Sequence, residues 1–289
     1  METLRRQAPL AAIALVAAAA IWLGPIVQPQ DYHAFADQST LYQIPHFADV
    51  ISNLGFAIVA LAGALLLPRL SRDRSRSYGY PGYRLFIVAL FFTAIGSSYY
   101  HLAPDNARLA WDRLPIALAC GGLLAGVWGD ARQKSSALFA SWMAVLACYS
   151  VAFWYVPELL GEGDLRPYLM FQILPMLLTP LWQWVYRAPV SDRLSFGAAL
   201  LLYAAAKAAE QYDHEVAAQL GMITGHTLKH LLATLAAAVI IIRLAVRQGA
   251  ARRATATTTK VLNPNDSGHA LKMEPSAQTT SRHHATSLL

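Results

Sequence analysis

Four side chains stand where the surrounding sequence makes them costly. His101 ends the run Gly96-Ser97-Ser98-Tyr99-Tyr100-His101, and Asp112 opens Trp111-Asp112-Arg113-Leu114-Pro115. His226 and His230 belong to Gly225-His226-Thr227-Leu228-Lys229-His230. Each borders an apolar run, where an ionisable group must be paired or face a wet cavity to be tolerated. His226 and His230 are four residues apart, so their imidazoles share one helical face and can share a metal. A third imidazole from His101 would complete three protein ligands, the number a catalytic zinc uses while keeping one position for water. Such an ion acidifies water and polarises a carbonyl. Asp112 then has the chemistry to take a proton from that water and return it to a leaving amine. Ser97, four residues before His101, faces the same way and can donate to a developing oxyanion. Each residue also has a plainer reading. A lone membrane His is commonly a hydrogen-bonded core residue, and the His-x3-His spacing arises by chance. Asp112 beside Arg113 can be a capping carboxylate at a helix start, and Ser97 can bond the carbonyl four residues back.

The elements that must position these groups are apolar and long. The chain has 289 residues, 56% hydrophobic and 14% charged, with a mean hydropathy of +0.36. A soluble domain carries nearly twice that share of charge. Apolar segments fall at roughly 9–27, 47–68, 84–103, 113–129, 137–156, 167–186, 195–211 and 222–247. Runs near 20 residues read as membrane-crossing helices rather than the shorter, alternating strands of a barrel. The expected fold is therefore all-α, a polytopic membrane helical bundle. The first segment lacks a small-x-small cleavage site, with Trp22-Leu23-Gly24-Pro25 in its place, so a retained helix is expected.

Charge alternates between loops. Arg5, Arg6, Arg69, Arg72, Arg74, Arg76, Arg132, Lys134, Arg187, Arg193, Arg243 and Arg247 fall on one side, and most of the loop carboxylates fall on the other. The positive-inside rule puts both termini in the cytoplasm and the acidic loops outside. His101, Asp112, His226 and His230 then share one depth near the outer face. The net charge of +6 is explained by these short loops and gives no reason to expect a nucleic-acid partner. Cys120 and Cys148 lie inside apolar runs and read as small hydrophobes. Lys207 and Glu210, three apart, are expected to pair or to meet a head group, and Lys229 to face another side from His230 and snorkel outward. Beyond about residue 250 the composition turns to Thr, Ser, Ala, Asn and His, as in a disordered tail; its His283-His284 pair reads as inert.

With these residues in view, the chain resembles the alkaline ceramidase family, within the seven-helix hydrolases that include the adiponectin and progestin receptors. The likeness is carried by Asp49-Val50-Ile51-Ser52-Asn53, Gly96-Ser97 through His101, Asp112-Arg113-Leu114-Pro115 and His226 through His230. It is similar to bacterial members through His33-Ala34-Phe35-Ala36-Asp37-Gln38 and Asp164-Leu165-Arg166-Pro167-Tyr168. The resemblance implies one zinc ion on His101, His226 and His230, Ser97 and Asp112 as catalytic groups, and cleavage of ceramide or a related N-acyl lipid drawn from the membrane. It divides the chain into an N-terminal helix (1–30), a seven-helix hydrolase domain (31–248) and a cytoplasmic tail (249–289). Ser52, Asn53, Lys207 and Glu210 are further polar candidates, for substrate or for structure. Calcium is not carried over with zinc, because His46 stands near the place of a calcium-binding Glu, with Asp31, Asp37 and Asp49 the only nearby carboxylates. The family's Asp-Glu-Leu-Pro is Asp-Arg-Leu-Pro here, which keeps the carboxylate and reverses the neighbouring charge. A zinc-binding receptor or scaffold without turnover is the competing expectation. A transporter is disfavoured, since polar groups cluster near one face and no internal repeat is visible.

Overall fold

The computed structural model describes residues 2–72 and 78–262, with side chains for 6–68 and 78–250. The His283-His284 pair and the rest of the tail beyond 262 lie outside the described residues. Among the described residues the architecture is all-α apart from one small hairpin. In chain order come α1 (Glu2–Leu23), the strands β1 (Thr40–Leu41) and β2 (Ile44–Pro45), α2 (Phe47–Ser52) and α3 (Leu54–Arg72). They are followed by α4 (Tyr80–Leu102), α5 (Asn106–Arg132), α6 (Ala137–Glu158) and α7 (Arg166–Val185). The last elements are α8 (Val190–Gln211), α9 (Asp213–Leu220) and α10 (Gly225–Leu262).

Among the described residues, six stretches are long and apolar enough to cross a membrane: Arg6–Leu23, Phe47–Pro68, Tyr80–Leu102, Asn106–Arg132, Ala137–Glu158 and Gly225–Ala250. Their outward faces suit lipid rather than water. Ile58, Leu61 and Leu65 form one exposed stripe along α3, and Leu138, Trp142 and Val145 another along α6. The chain is a polytopic helical membrane protein. At the two further places where crossings are expected, α7 and α8 form but are less apolar. α7 carries Arg166, Gln172, Gln183 and three prolines, and α8 carries Asp192, Arg193, Lys207 and Glu210. At about 1.5 Å per residue both still have the length of a bilayer core.

Two boundaries differ from the sequence reading in ways that matter for the site. The expected single segment 47–68 is broken at Asn53. Ser52 Oγ and Asn53 Nδ2 both donate to the Asp49 carbonyl, at 2.9 and 2.8 Å, and these local bonds compete with a continuous helical ladder. α5 begins at Asn106 rather than near 113, because Asp105 caps it by accepting the Arg108 N–H at 2.7 Å. Asp112 therefore lies well inside the helix, and its reading as a capping carboxylate fails. At the other end of the chain α10 runs on to Leu262, beyond the apolar segment expected at 222–247.

The bundle packs most closely where α4 meets α5. A Cβ at Gly96 would lie 2.1 Å from the Trp111 carbonyl oxygen, so only glycine permits that approach. Phe86, Ile87, Leu90, Leu123, Leu124 and Ile240 belong to the larger apolar core, drawn from α3, α4, α5, α7, α8 and α10. At the far end of α4, Asp130 gathers the Tyr83 hydroxyl (2.9 Å), the Gly79 N–H (3.0 Å) and Arg247 (2.7 Å), tying α4, α5 and α10 together. Pinned there and at Gly96, these helices bring the opposite ends of α4 and α10 into register.

Candidate metal centre

His101 occupies the last turn of α4, and His226 and His230 the first two turns of α10. The α10 start is built with care. A Cβ at Gly225 would lie 2.2 Å from the Ala209 carbonyl oxygen, so α10 begins hard against the end of α8. Asp213 Oδ1 accepts the His226 N–H at 2.7 Å, and Thr224 Oγ1 accepts the Thr227 N–H at 3.0 Å. Two of the helix's free N–H groups are thereby satisfied, and the His226 backbone is held in place.

The three imidazoles meet as their spacing and matched depth predict. Donor atoms of His101, His226 and His230 all lie within 4.8 Å of one another, and all three residues are buried. Their ring centroids are 4.6 Å (101–226), 5.1 Å (101–230) and 4.9 Å (226–230) apart, with planes at 67°, 74° and 89°. Stacked core histidines would lie more nearly parallel; these rings meet edge to face.

Several buried polar atoms around the cluster lack hydrogen-bond partners among the described residues. Neither ring nitrogen of His101 has one, although the residue is 0% exposed. Asp49 Oδ2 and Asp112 Oδ1 are also buried and unpartnered. Buried polar atoms without partners are rare, and these lie beside a group of imidazoles that could hold a metal ion. Asp49 Oδ2 lies 3.9 Å from His101 Nδ1, within ion-pair range and ready to orient that ring. Its other oxygen, Oδ1, accepts from the hydroxyls of Thr227 at 2.6 Å and Thr224 at 3.2 Å. Ser52 Oγ, already donating to the Asp49 carbonyl, must accept at 2.8 Å from His230 Nδ1. This fixes the His230 tautomer: Nδ1 carries the proton, and Nε2 presents its lone pair to the cluster. Three imidazoles with carboxylate and hydroxyl support fit zinc or another borderline divalent ion.

Ser97 Oγ is 3.5 Å from His230 Nε2, and both Ser97 and Asp112 line the cavity that His226 and His230 face. That cavity, about 660 Å³, extends from the cluster between α3, α4, α5, α7, α8 and α10. Phe35 covers the cluster from the loop after α1, with its ring centroid 4.7 Å from that of His101 and 4.5 Å from that of His226. The loop is held by Asp213 Oδ2 on the Ala36 N–H (2.9 Å), by the Tyr100 hydroxyl and Asn106 on His33 (2.8 and 3.0 Å) and by Asp164 on the Ile26 N–H (3.2 Å). Asp164 also binds Arg166. Partial burial pushes the Asp164 carboxyl up, but its bonds from Arg166 and the Ile26 N–H outweigh this and hold it below its ordinary value.

Lys207 pairs with Glu210 as expected. Lys229 does not turn outward. Its ammonium donates to Glu210 Oε1 at 2.7 Å and to His226 Nε2 at 2.9 Å, at the wall of the cavity. Ser52 and Asn53 have the structural bonds described above. Asp49, Thr224 and Thr227 carry no metal-ligand spacing, and their part in the site is visible only once α2 and α10 are side by side. No family model, characterised protein or solved structure matches this chain.

Proposed function

We propose that this chain is a zinc-dependent membrane amidase that cleaves the N-acyl bond of ceramide or a related N-acyl lipid. In this reading the helices from α2 to α10 form a seven-crossing hydrolase core, both termini are cytoplasmic, and the site lies toward the outer face. The observation that carries it is the buried trio of imidazoles, one with both nitrogens unpartnered, beside an unpartnered Asp112 oxygen at a lipid-sized cavity.

Zinc held by His101, His226 and His230 would supply the positive charge that polarises the amide carbonyl and acidifies water. The remaining work falls to the chain. Ser52 and Asp49 orient His230 and His101. Asp112 accepts a proton from the attacking water at its free Oδ1. As the new C–O bond forms and the C–N bond breaks, it returns that proton to the departing amine nitrogen. Ser97 donates its hydroxyl proton to the oxyanion. Phe35 excludes bulk water above the cluster. The products are a fatty acid and the released amine, which is a sphingoid-type amine where the substrate is ceramide.

The test is metal analysis of the detergent-purified protein with a mass-spectrometric hydrolysis screen of ceramides and other N-acyl lipids. About one zinc per chain is expected, with His230→Ala losing both metal and turnover. Asp112→Asn should keep the metal and lose roughly a hundredfold or more in rate. Full activity in that variant removes Asp112 from the mechanism. Bound zinc without cleavage across the panel replaces the amidase by a zinc-binding receptor or scaffold.

A further inference from the structure

Arg113 is the strangest group near the site. It follows Asp112 on α5, is 2% exposed, and lines the same cavity. Its guanidinium carbon stands 4.0 Å from the Trp154 ring centroid, 5.0 Å from that of Tyr32 and 5.2 Å from that of Tyr168. The aromatic faces stabilise the cation but accept none of its N–H bonds in the plane. Nε and Nη1 find no acceptor among the described residues, and neither does the adjoining indole donor, Trp154 Nε1. Elsewhere in the bundle the arrangement differs: Arg166 is bound by Asp164, Arg243 by Asp192 and Arg247 by Asp130. A buried guanidinium with free in-plane donors costs free energy unless an anion completes it, and its planar fork matches a carboxylate.

The rest of the cavity supplies the other half of an amphiphile. Leu123 on α5 and Ile240 on α10 each lie ten residues beyond Arg113 and His230, which is about 15 Å deeper along their helices. Phe86 and Leu90 on α4 also line that depth. An acyl chain fits the apolar end, and Arg113, next to Asp112 on α5, lines the same cavity as His226 and His230 about 15 Å from that end.

We propose that Arg113, walled by Tyr32, Trp154 and Tyr168, is a specificity subsite for a carboxylate or similar anionic group on the amine side of the substrate. The lipid cleaved is then an acidic N-acyl lipid, of the N-acyl amino acid type, rather than a neutral one. This rests on the amidase reading for its chemistry but not for its binding.

The experiment compares an N-acyl amino acid with its methyl ester, at one acyl length, in binding and in hydrolysis. With zinc-loaded wild type, the free acid is expected to bind and turn over at least tenfold better than the ester. Arg113→Gln should erase that preference through KM, the acid and the ester becoming equivalent within the same variant, and Arg113→Lys should restore part of it. Equal treatment of acid and ester by the wild type, a comparison that needs no variant, overturns the proposal. So does an Arg113→Gln loss that is the same for both lipids. A free fatty acid of the same length distinguishes the two sources of carboxylate. If it competes as well as the N-acyl amino acid and does so through Arg113, the group holds the product instead, and the proposal falls. Arg113-dependent binding of the acid without any hydrolysis sustains the subsite and refutes the amidase. Hydrolysis without charge discrimination does the reverse.

Discussion

Ser52 offers the sharpest test of the metal centre, because it touches no substrate-facing surface yet sets the chemistry of a ligand. Its hydroxyl proton is committed to the Asp49 carbonyl at 2.9 Å, so its oxygen accepts from His230 Nδ1 at 2.8 Å. In Ser52→Ala that N–H loses its acceptor. The metal-bound state requires the proton on Nδ1, whereas the metal-free state can move it to Nε2, which has Ser97 Oγ 3.5 Å away. The penalty therefore falls on metal binding rather than evenly on both states. An orphaned buried donor costs roughly 1–3 kcal/mol, and about 1.4 kcal/mol is a factor of ten in affinity. Zinc affinity should fall about tenfold to a hundredfold, the range seen when a ligand's hydrogen-bond partner is removed. Competition against chelators of graded strength, in detergent, reads this directly. Ser52→Thr keeps the hydroxyl and should stay close to wild type. Zinc affinity in Ser52→Ala within about twofold of wild type would refute the tautomer argument, and with it the assignment of Nε2 as the ligand atom.

Two further outcomes test the scaffold. Gly96→Ala would put a methyl 2.1 Å from the Trp111 carbonyl oxygen, forcing α4 and α5 apart at a cost of about 1–3 kcal/mol. It should lower the thermal midpoint and reduce zinc binding together, and a variant with unchanged stability would show that this contact does not set the helix register. The Asp164 clamp on the loop should depend on pH. The folded carboxyl titrates below its ordinary value of 3.8, so its contribution is present above that pH and is lost as pH falls through the lower folded value. Hydrogen exchange at the Ile26 amide, corrected for intrinsic rate, should show protection at pH 5 that weakens in strong acid; Asp164→Asn should remove the pH dependence, and retained dependence would assign it elsewhere.

The part of this molecule that could be read from its residues is the part governed by helical periodicity. His226 and His230 share a face because they are four apart, and Ser97 shares one with His101 for the same reason. Loop charge placed the three histidines at one expected depth, and their donor atoms do lie within 4.8 Å of one another. What could not be read depends on distances between helices. Asp49 belonged to one of the motifs but had no role in the site from sequence, yet it lies 3.9 Å from His101, held by the hydroxyls of Thr227 in α10 and Thr224 just before it. Lys229 was expected to reach for the surface, as a flexible amine near a helix end commonly does. Glu210, across on α8, gives it a closer partner, and the same contact presses an ammonium against His226. Asp112 was open to a capping role until Asp105 proved to start the helix earlier. The Asp-Arg departure from Asp-Glu could be seen in the sequence, but not that the arginine is enclosed by three aromatic rings with no acceptor for Nε or Nη1. Two buried guanidinium donors with no acceptor among the described residues are best explained by a partner that arrives from outside, and Arg113 lines the cavity it shares with the imidazoles of His226 and His230.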